Sequence, residues 1–375
     1  MEKKIHFANL NTLRFIAAFL VVIAHTEQIK MAKGLSNIYD IPFVEIMGSL
    51  SVDLFFVLSG FLITSLLFIE KETPSGISIK KFIIRRLLRI WPLYFIIMLL
   101  GFFILPQFQN LKIGPPFVDV NESFTANVIL YVLFLPHIQS IIIGPILYCV
   151  QAWSIGIEEQ FYIFWPFVVK KFNKRKIVYF ILVFITSYLF LCLLISLATR
   201  NQNLIDKFSL TTLENINIIF RHRLKFDCLL IGALFAVVNT KIKDEYFIFN
   251  KYFQIFIYLL EGVLLFSGYD FHGFFWEVHA VLYGFIILNL VRTNTSVINI
   301  DYPIFDYLGK ISYGVYMYHI IIINLAITLL QKYDLLVIAY PIIFIFVILI
   351  SSFSYRFIES YFLTKKKDFS VISTG

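Results

Sequence analysis

The sequence predicts an all-α polytopic membrane protein of about ten transmembrane helices, with both termini cytoplasmic and a re-entrant or interfacial segment near 126–150. Three observations predict it. Hydrophobic residues make up 59% of the chain and charged residues 15%, against roughly 45–50% and about 25% in a soluble domain. The excess lies in long runs such as 177–197, 311–330 and 335–351, each close to the ~20 residues that cross a bilayer core. The charges lie between these runs, and Lys and Arg concentrate in alternate loops, as the positive-inside rule predicts for cytoplasmic segments.

Taken in order, the candidate spans are 9–27, 50–69, 87–105, 153–169, 177–197, 224–239, 252–268, 274–292, 311–330 and 335–357. The first follows a basic MEKK start, as a signal peptide would. No small-residue cleavage pattern follows it, and Arg14 and His25 interrupt the run, so it reads as an uncleaved first helix. Segment 126–150 is apolar, but Pro136, His137, Gly144 and Pro145 break it into halves too short to cross. Interrupted backbone at membrane depth is tolerated only against protein or water, so the segment is read as not spanning. That choice keeps the KKFNKRK stretch at 170–176 on the cytoplasmic side with most of the 32 Lys and Arg. One membrane domain then covers 1–360, followed by a short basic cytoplasmic tail at 361–375.

The net charge of +8 does not indicate a nucleic-acid partner, because no basic face with interleaved stacking aromatics is present. The 43 Phe and 21 Tyr are read as facing lipid and the membrane interfaces. Cys149, Cys192 and Cys228 lie singly in apolar surroundings. That spacing fits neither a disulfide framework nor a zinc site, so they are read as core packing and no metal is expected.

Ionisable residues inside apolar spans cost about 2.5–3.5 kcal/mol each by insertion scales, which makes each a functional candidate. Arg14 and His25 stand eleven residues apart in the first span. On a helix they differ by about 20° in azimuth and roughly 16 Å in depth. One stripe thus carries a cation near the inner mouth and an imidazole toward the far side, although snorkelling and an interhelical hydrogen bond are the structural alternatives. The second span brings Asp53 and the pair Ser59-Gly60, which also suits close helix packing. Arg85, Arg86 and Arg89 open the third, as topological anchors or as a phosphate grip. Glu158 and Glu159 open the fourth, where the helix dipole favours a carboxylate. Arg223 and Asp227 form an i, i+4 pair that neutralises itself, and His319 lies within the ninth span. His137, His222, His272 and His279 fall in or near loops or interfaces and carry no assigned role.

In order, these segments resemble the bacterial integral membrane acyltransferase-3 family of surface-glycan O-acetyltransferases. The likeness runs from Leu10 to about Glu359. An Arg-x10-His signature falls on Arg14 and His25, and Asp-x-Phe-Phe-x-x-Ser-Gly-Phe on Asp53, Phe55, Phe56, Ser59, Gly60 and Phe61. Arg-x-x-Arg-Ile-x-Pro-x-Tyr falls on Arg86, Arg89, Ile90, Pro92 and Tyr94. Trp-Ser-x-x-x-Glu-x-x-Phe-Tyr falls on Trp153, Ser154, Glu158, Phe161 and Tyr162. Gly-x-x-Ser-Tyr followed by His falls on Gly309, Ser312, Tyr313 and His319. Asn11 and Phe15 replace an Asp and a Gly common in the first motif, and Ser360 and Tyr361 depart from the family's closing Arg-Pro.

The resemblance implies a multi-pass protein of the bacterial plasma membrane. It implies an acyl-coenzyme A donor, usually acetyl-CoA, approaching from the cytoplasm, and a carbohydrate or glycolipid acceptor. On that reading Arg14, Arg86 and Arg89 hold the donor's phosphates. His25 is the general base for the acceptor hydroxyl, or carries the acyl group covalently. Glu158 orients the imidazole or binds sugar, and Ser59 with the Gly60 backbone donates to the oxyanion. Trp153, Tyr162, Asp53 and His319 fall to the substrate. A transporter or flippase without chemistry is the rival reading, since broken helices and intramembrane charge suit alternating access. A structural or sensory protein would need no aligned Arg and His. Nothing in the sequence indicates an oligomer.

Overall fold

The computed structural model describes residues 7–114, 116–218, 220, 224–267, 271, 274–333 and 335–370. Among the described residues there is no strand. The first half runs α1 (Leu10–Ala32), α2 (Pro42–Lys71), α3 (Ile79–Leu99), α4 (Phe124–Val132), α5 (Pro136–Ile142), α6 (Ala152–Lys171) and α7 (Lys174–Ala198). Two short helices follow, α8 (Gln202–Phe208) and α9 (Leu210–Ile218). The second half runs α10 (Phe226–Asn239), α11 (Lys251–Ser267), α12 (Phe275–Leu290), α13 (Pro303–Lys310), α14 (Ser312–Lys332), α15 (Ala339–Ser354) and α16 (Ser360–Lys366). π-turns prolong α3 through Leu100–Ile104 and join α15 to α16 through Tyr355–Glu359.

Six helical runs are long and apolar enough to cross a bilayer: Leu10–Ala32, Pro42–Lys71, Ile79–Gln107, Lys174–Ala198, Ser312–Lys332 and Leu336–Phe369. The other four expected spans coincide with α6, α10, α11 and α12. Of these, α6 is long enough but not apolar enough, and the rest have 14, 17 and 16 residues.

One boundary moves in a way that matters. Helix α3 starts at Ile79, where the Ser78 side chain accepts from the Lys81 amide, so Arg85, Arg86 and Arg89 stand well inside it rather than on its first turns. Helix α6 starts at Ala152, so Glu158 and Glu159 lie about two turns in. Neither carboxylate is a solvated helix-start group.

Residues 126–150 form no continuous helix. At 1.5 Å per residue, α4 with its 9 residues and α5 with its 7 fall far short of the ~30 Å apolar core. Pro136 opens α5, while Phe134 (φ 57°) and Gly144 (φ 126°) turn the chain back at either end. Tyr94 of α3 donates to the Tyr131 carbonyl and the Tyr131 hydroxyl donates to the Cys149 carbonyl. The segment's backbone is thereby satisfied against protein.

Helix α2 is the central post, flanked by α1, α6, α10 and α12. A Cβ on Gly60 would meet the Leu229 carbonyl oxygen at 1.9 Å, and one on Gly232 would meet the Val57 carbonyl at 2.0 Å. The two glycines let α2 and α10 touch backbone to backbone. The absent side chain of Gly60 therefore faces α10, where it serves close packing, and Gly60 does not line the cavities that Ser59 lines. Cys149, Cys192 and Cys228 are buried and form no disulfide, as expected of core residues. The expected tail at 361–375 begins inside α16, and Arg85 donates to the Phe369 carbonyl.

Candidate active site

Five helices, α1, α2, α3, α6 and α14, enclose a cavity of about 720 Å³. Arg14, Ser59, Arg86, Arg89, Glu158 and Tyr162 line it on one side, and Ser154, Ser312, Tyr313 and Tyr316 on the other. The apolar part of the wall is Val52, Phe55, Phe56, Ile90 and Ile155. A second, wider cavity of about 1040 Å³ shares Arg14, Ser59, Arg86, Arg89 and Tyr162 with the first. It opens among Phe7, Asn11, Glu70, Arg85, Lys366 and Ser370. The two are chambers of one passage, with the three arginines at the junction.

The polar groups at the junction are arranged so that cations are left over. Glu158 accepts from the Ser59 hydroxyl at 2.6 Å and from the Tyr162 hydroxyl at 3.0 Å. Arg14 reaches only the Asn11 side chain, at 3.4 Å. Arg86 lies over the Phe82 and Tyr162 rings at 5.4 and 5.7 Å, and its Nε has no hydrogen-bond partner. Among the described residues none of Arg14, Arg86 and Arg89 makes an ion pair, whereas Arg85 next to them is matched by Glu70. Charges taken from water without a partner cost several kcal/mol each. Three such cations around one cavity form a site for an anion with several charges.

His25 lines neither chamber. Its Nδ1 lies 2.8 Å from Nε2 of His319, and Nδ1 of His319 lies 2.5 Å from the Tyr316 carbonyl oxygen. The two rings stack at 4.9 Å, and Tyr316, whose own ring is 5.6 Å from His319, forms the cavity wall. The first chamber thus ends at Tyr316, with the imidazole pair behind it. This network assigns tautomers when both rings are neutral. A carbonyl can only accept, so His319 carries its proton on Nδ1 and presents a lone pair at Nε2. His25 must then donate from Nδ1, which leaves Nε2 of His25 as a free base.

The other expected site residues divide. Ser59 and Tyr162 line the passage, but the Ser59 proton is committed to Glu158. The partner of His25 is His319, whereas Glu158, expected to orient that imidazole or bind sugar, is engaged by Ser59 and Tyr162. Trp153 packs edge-on against Phe56 at 6.0 Å, outside the lining. Asp53 is also outside. It is fully buried and accepts from Lys225 Nζ at 3.1 Å, while that ammonium sits 3.5 Å from the Trp276 ring centre. Sequence spacing joined Asp53 to the site because Lys225 is 172 residues away. The Arg223–Asp227 pairing, and with it His222 and His272, lies outside the described residues. His279 is no loop residue: it is fully buried in α12 with Nδ1 2.9 Å from Glu261. Tyr316 and Lys366 were missed. The first stands one helical turn from His319, a signal that was available, whereas the second is hidden in a run of three lysines.

Residues 7–356 match the family described as "Acyltransferase domain". A Staphylococcus aureus (strain COL) protein named "Putative O-acetyltransferase" is 26% identical over 384 residues, covering 96% of this chain and 58% of its own length. An uncharacterized Haemophilus influenzae protein is 29% identical over 227 residues, covering 58% of this chain and 85% of that one. The peptidoglycan O-acetyltransferase OatA of Listeria monocytogenes is 31% identical over 176 residues, covering 44% and 24% respectively. The chain thus spans little more than half the length of the staphylococcal relatives. No solved structure matches it.

Proposed function

This chain belongs to the acyltransferase family that its residues 7–356 match, and from that premise we propose that it moves an acyl group, in the first instance acetyl, from acyl-coenzyme A to a carbohydrate hydroxyl. The donor enters the wider chamber from the cytoplasm, and the acceptor is a glycan or glycolipid on the other side of the bacterial plasma membrane. The observation that carries this reading is the junction of the two chambers, where Arg14, Arg86 and Arg89 face the cavity with no carboxylate of their own. Guanidinium forks without acidic partners suit phosphate oxygens, and the apolar first chamber suits the uncharged arm of the donor.

The chemistry follows from the free lone pair on His25. The acceptor hydroxyl oxygen bonds to the acyl carbon as its proton passes to Nε2 of His25, and the carbon–sulfur bond breaks to release thiolate, which takes up that proton. For the acyl carbon to meet the base, the Tyr316 ring must move aside, since it stands between the chamber and the imidazoles. Glu158, held by Ser59 and Tyr162, offsets one of the three arginine charges without an ion pair to any of them, which leaves net positive charge for the donor's phosphates.

Purified protein supplied with acetyl-labelled coenzyme A and a glycan acceptor tests this. His25→Ala is expected to lower transfer by about 10²–10⁴-fold, the range of a general base, with coenzyme A binding changed less than twofold. Transfer at the wild-type level would remove His25 from the mechanism. Movement of a glycan across vesicles without any donor cleavage would make the chain a flippase.

A further inference from the structure

The wider chamber holds a cation that the reading above does not use. Lys366, in the last turn of α16, lines it beside Arg85, Arg86 and Arg89. Glu70 is the one carboxylate in that lining, and it is engaged by Arg85, which also donates to the Phe369 carbonyl. Among the described residues the Lys366 ammonium has no hydrogen-bond or ion-pair partner, and the Ser370 hydroxyl donates to its backbone carbonyl. Its neighbour Lys365 is different, being exposed with its ammonium 4.5 Å over the Tyr361 ring.

Position along the passage separates these cations. Arg14, Arg86 and Arg89 line both chambers, whereas Arg85 and Lys366 line only the outer one. Like charges gathered in a small chamber repel, and the clasp from Arg85 to Phe369 holds the lysine there all the same. A donor entering with its acyl end first leaves its pyrophosphate at the junction and its farthest phosphate at the mouth. We infer that Lys366 binds that farthest phosphate, the 3′-phosphate of coenzyme A, so that the chain's last helix is part of the donor site. This rests on the acyl-coenzyme A reading.

The test compares initial rates on acetyl-coenzyme A and on its 3′-dephospho form, for the wild type and for Lys366→Ala, Lys366→Arg and Lys365→Ala. One charged hydrogen bond corresponds to about tenfold in affinity. Lys366→Ala should raise KM for acetyl-coenzyme A about tenfold, with kcat within twofold, and leave KM for the dephospho form unchanged. Lys366→Arg should restore discrimination between the two donors, and Lys365→Ala should behave as wild type. An equal rise in both KM values, a fall in kcat alone, or no change overturns the inference. If Arg86→Ala weakens both donors while Lys366→Ala weakens neither, the inference falls and the donor reading stands. If the wild type uses neither donor, both fall together.

Discussion

The neutral tautomer of His25 is set by atoms from a helix nearly 300 residues away. The Tyr316 carbonyl fixes the proton on His319, and His319 fixes the proton on His25. If the second imidazole acts by holding the first in one tautomer and orientation, His319→Ala should lower kcat by about 10–10²-fold, a loss below that of deleting the base itself, while the donor KM stays put. A glutamine there can still accept from Nδ1 of His25 through its side-chain carbonyl, so His319→Gln should recover much of the lost rate. Equal rates for the two variants would show that the ring does something other than accept this hydrogen bond. Arg14 and His25 stood out in the sequence because each interrupts an apolar run at a cost no lipid-facing helix would carry. Their route to one another did not stand out, because it passes through α14, and periodicity within one helix says nothing about the neighbour it meets.

At the scale of elements, Ser59 and Gly60 are adjacent but face different ways: Ser59 toward Glu158 and the passage, and Gly60 toward the Leu229 carbonyl of α10. A methyl group at Gly60 has only backbone to push against, and a 1.9 Å approach cannot be relieved by a rotamer change. Gly60→Ala should therefore destabilise the protein by about 1–3 kcal/mol, the usual cost of overpacking, and lower its melting temperature in detergent. The companion Ser59→Ala overpacks nothing and removes only the hydrogen bond to Glu158, so any fall in its melting temperature should be accompanied by no change at the α2–α10 contact. A Gly60→Ala protein that melts with the wild type would mean the two helices do not meet as described. Helix positions were legible throughout because long apolar runs admit few other structures in a membrane. Not every helix start was. The true start of α3 lies in more polar sequence, at Ser78, that hydropathy assigns to a loop, whereas α6 begins within one residue of its expected start.

At the scale of the whole molecule, the even count of crossings draws support from which parts of the chain lie together. Phe7 and Ser370 line the same chamber. Lys71 donates to the carbonyls of Val169 and Phe172, which ties the loop after α2 to the basic loop after α6. Asn9 donates to the Leu290 carbonyl, and Arg292 to those of Asn239 and Ile242. These contacts bring several of the basic segments expected on the cytoplasmic side near one another and near both ends of the described chain, as an even number of crossings requires. The three native cysteines are buried, so a single introduced cysteine can be labelled from one side by a membrane-impermeant maleimide. Ser36→Cys and Asn121→Cys should label in intact cells, and Ser75→Cys and Lys171→Cys only after permeabilisation; all four positions are exposed. Lys171 is the decisive position, because one extra crossing at 126–150 would move it, and everything after it, to the outside. Labelling of Lys171→Cys in intact cells would put the chamber mouth, with Lys366 and the end of the chain, on the face away from cytoplasmic coenzyme A.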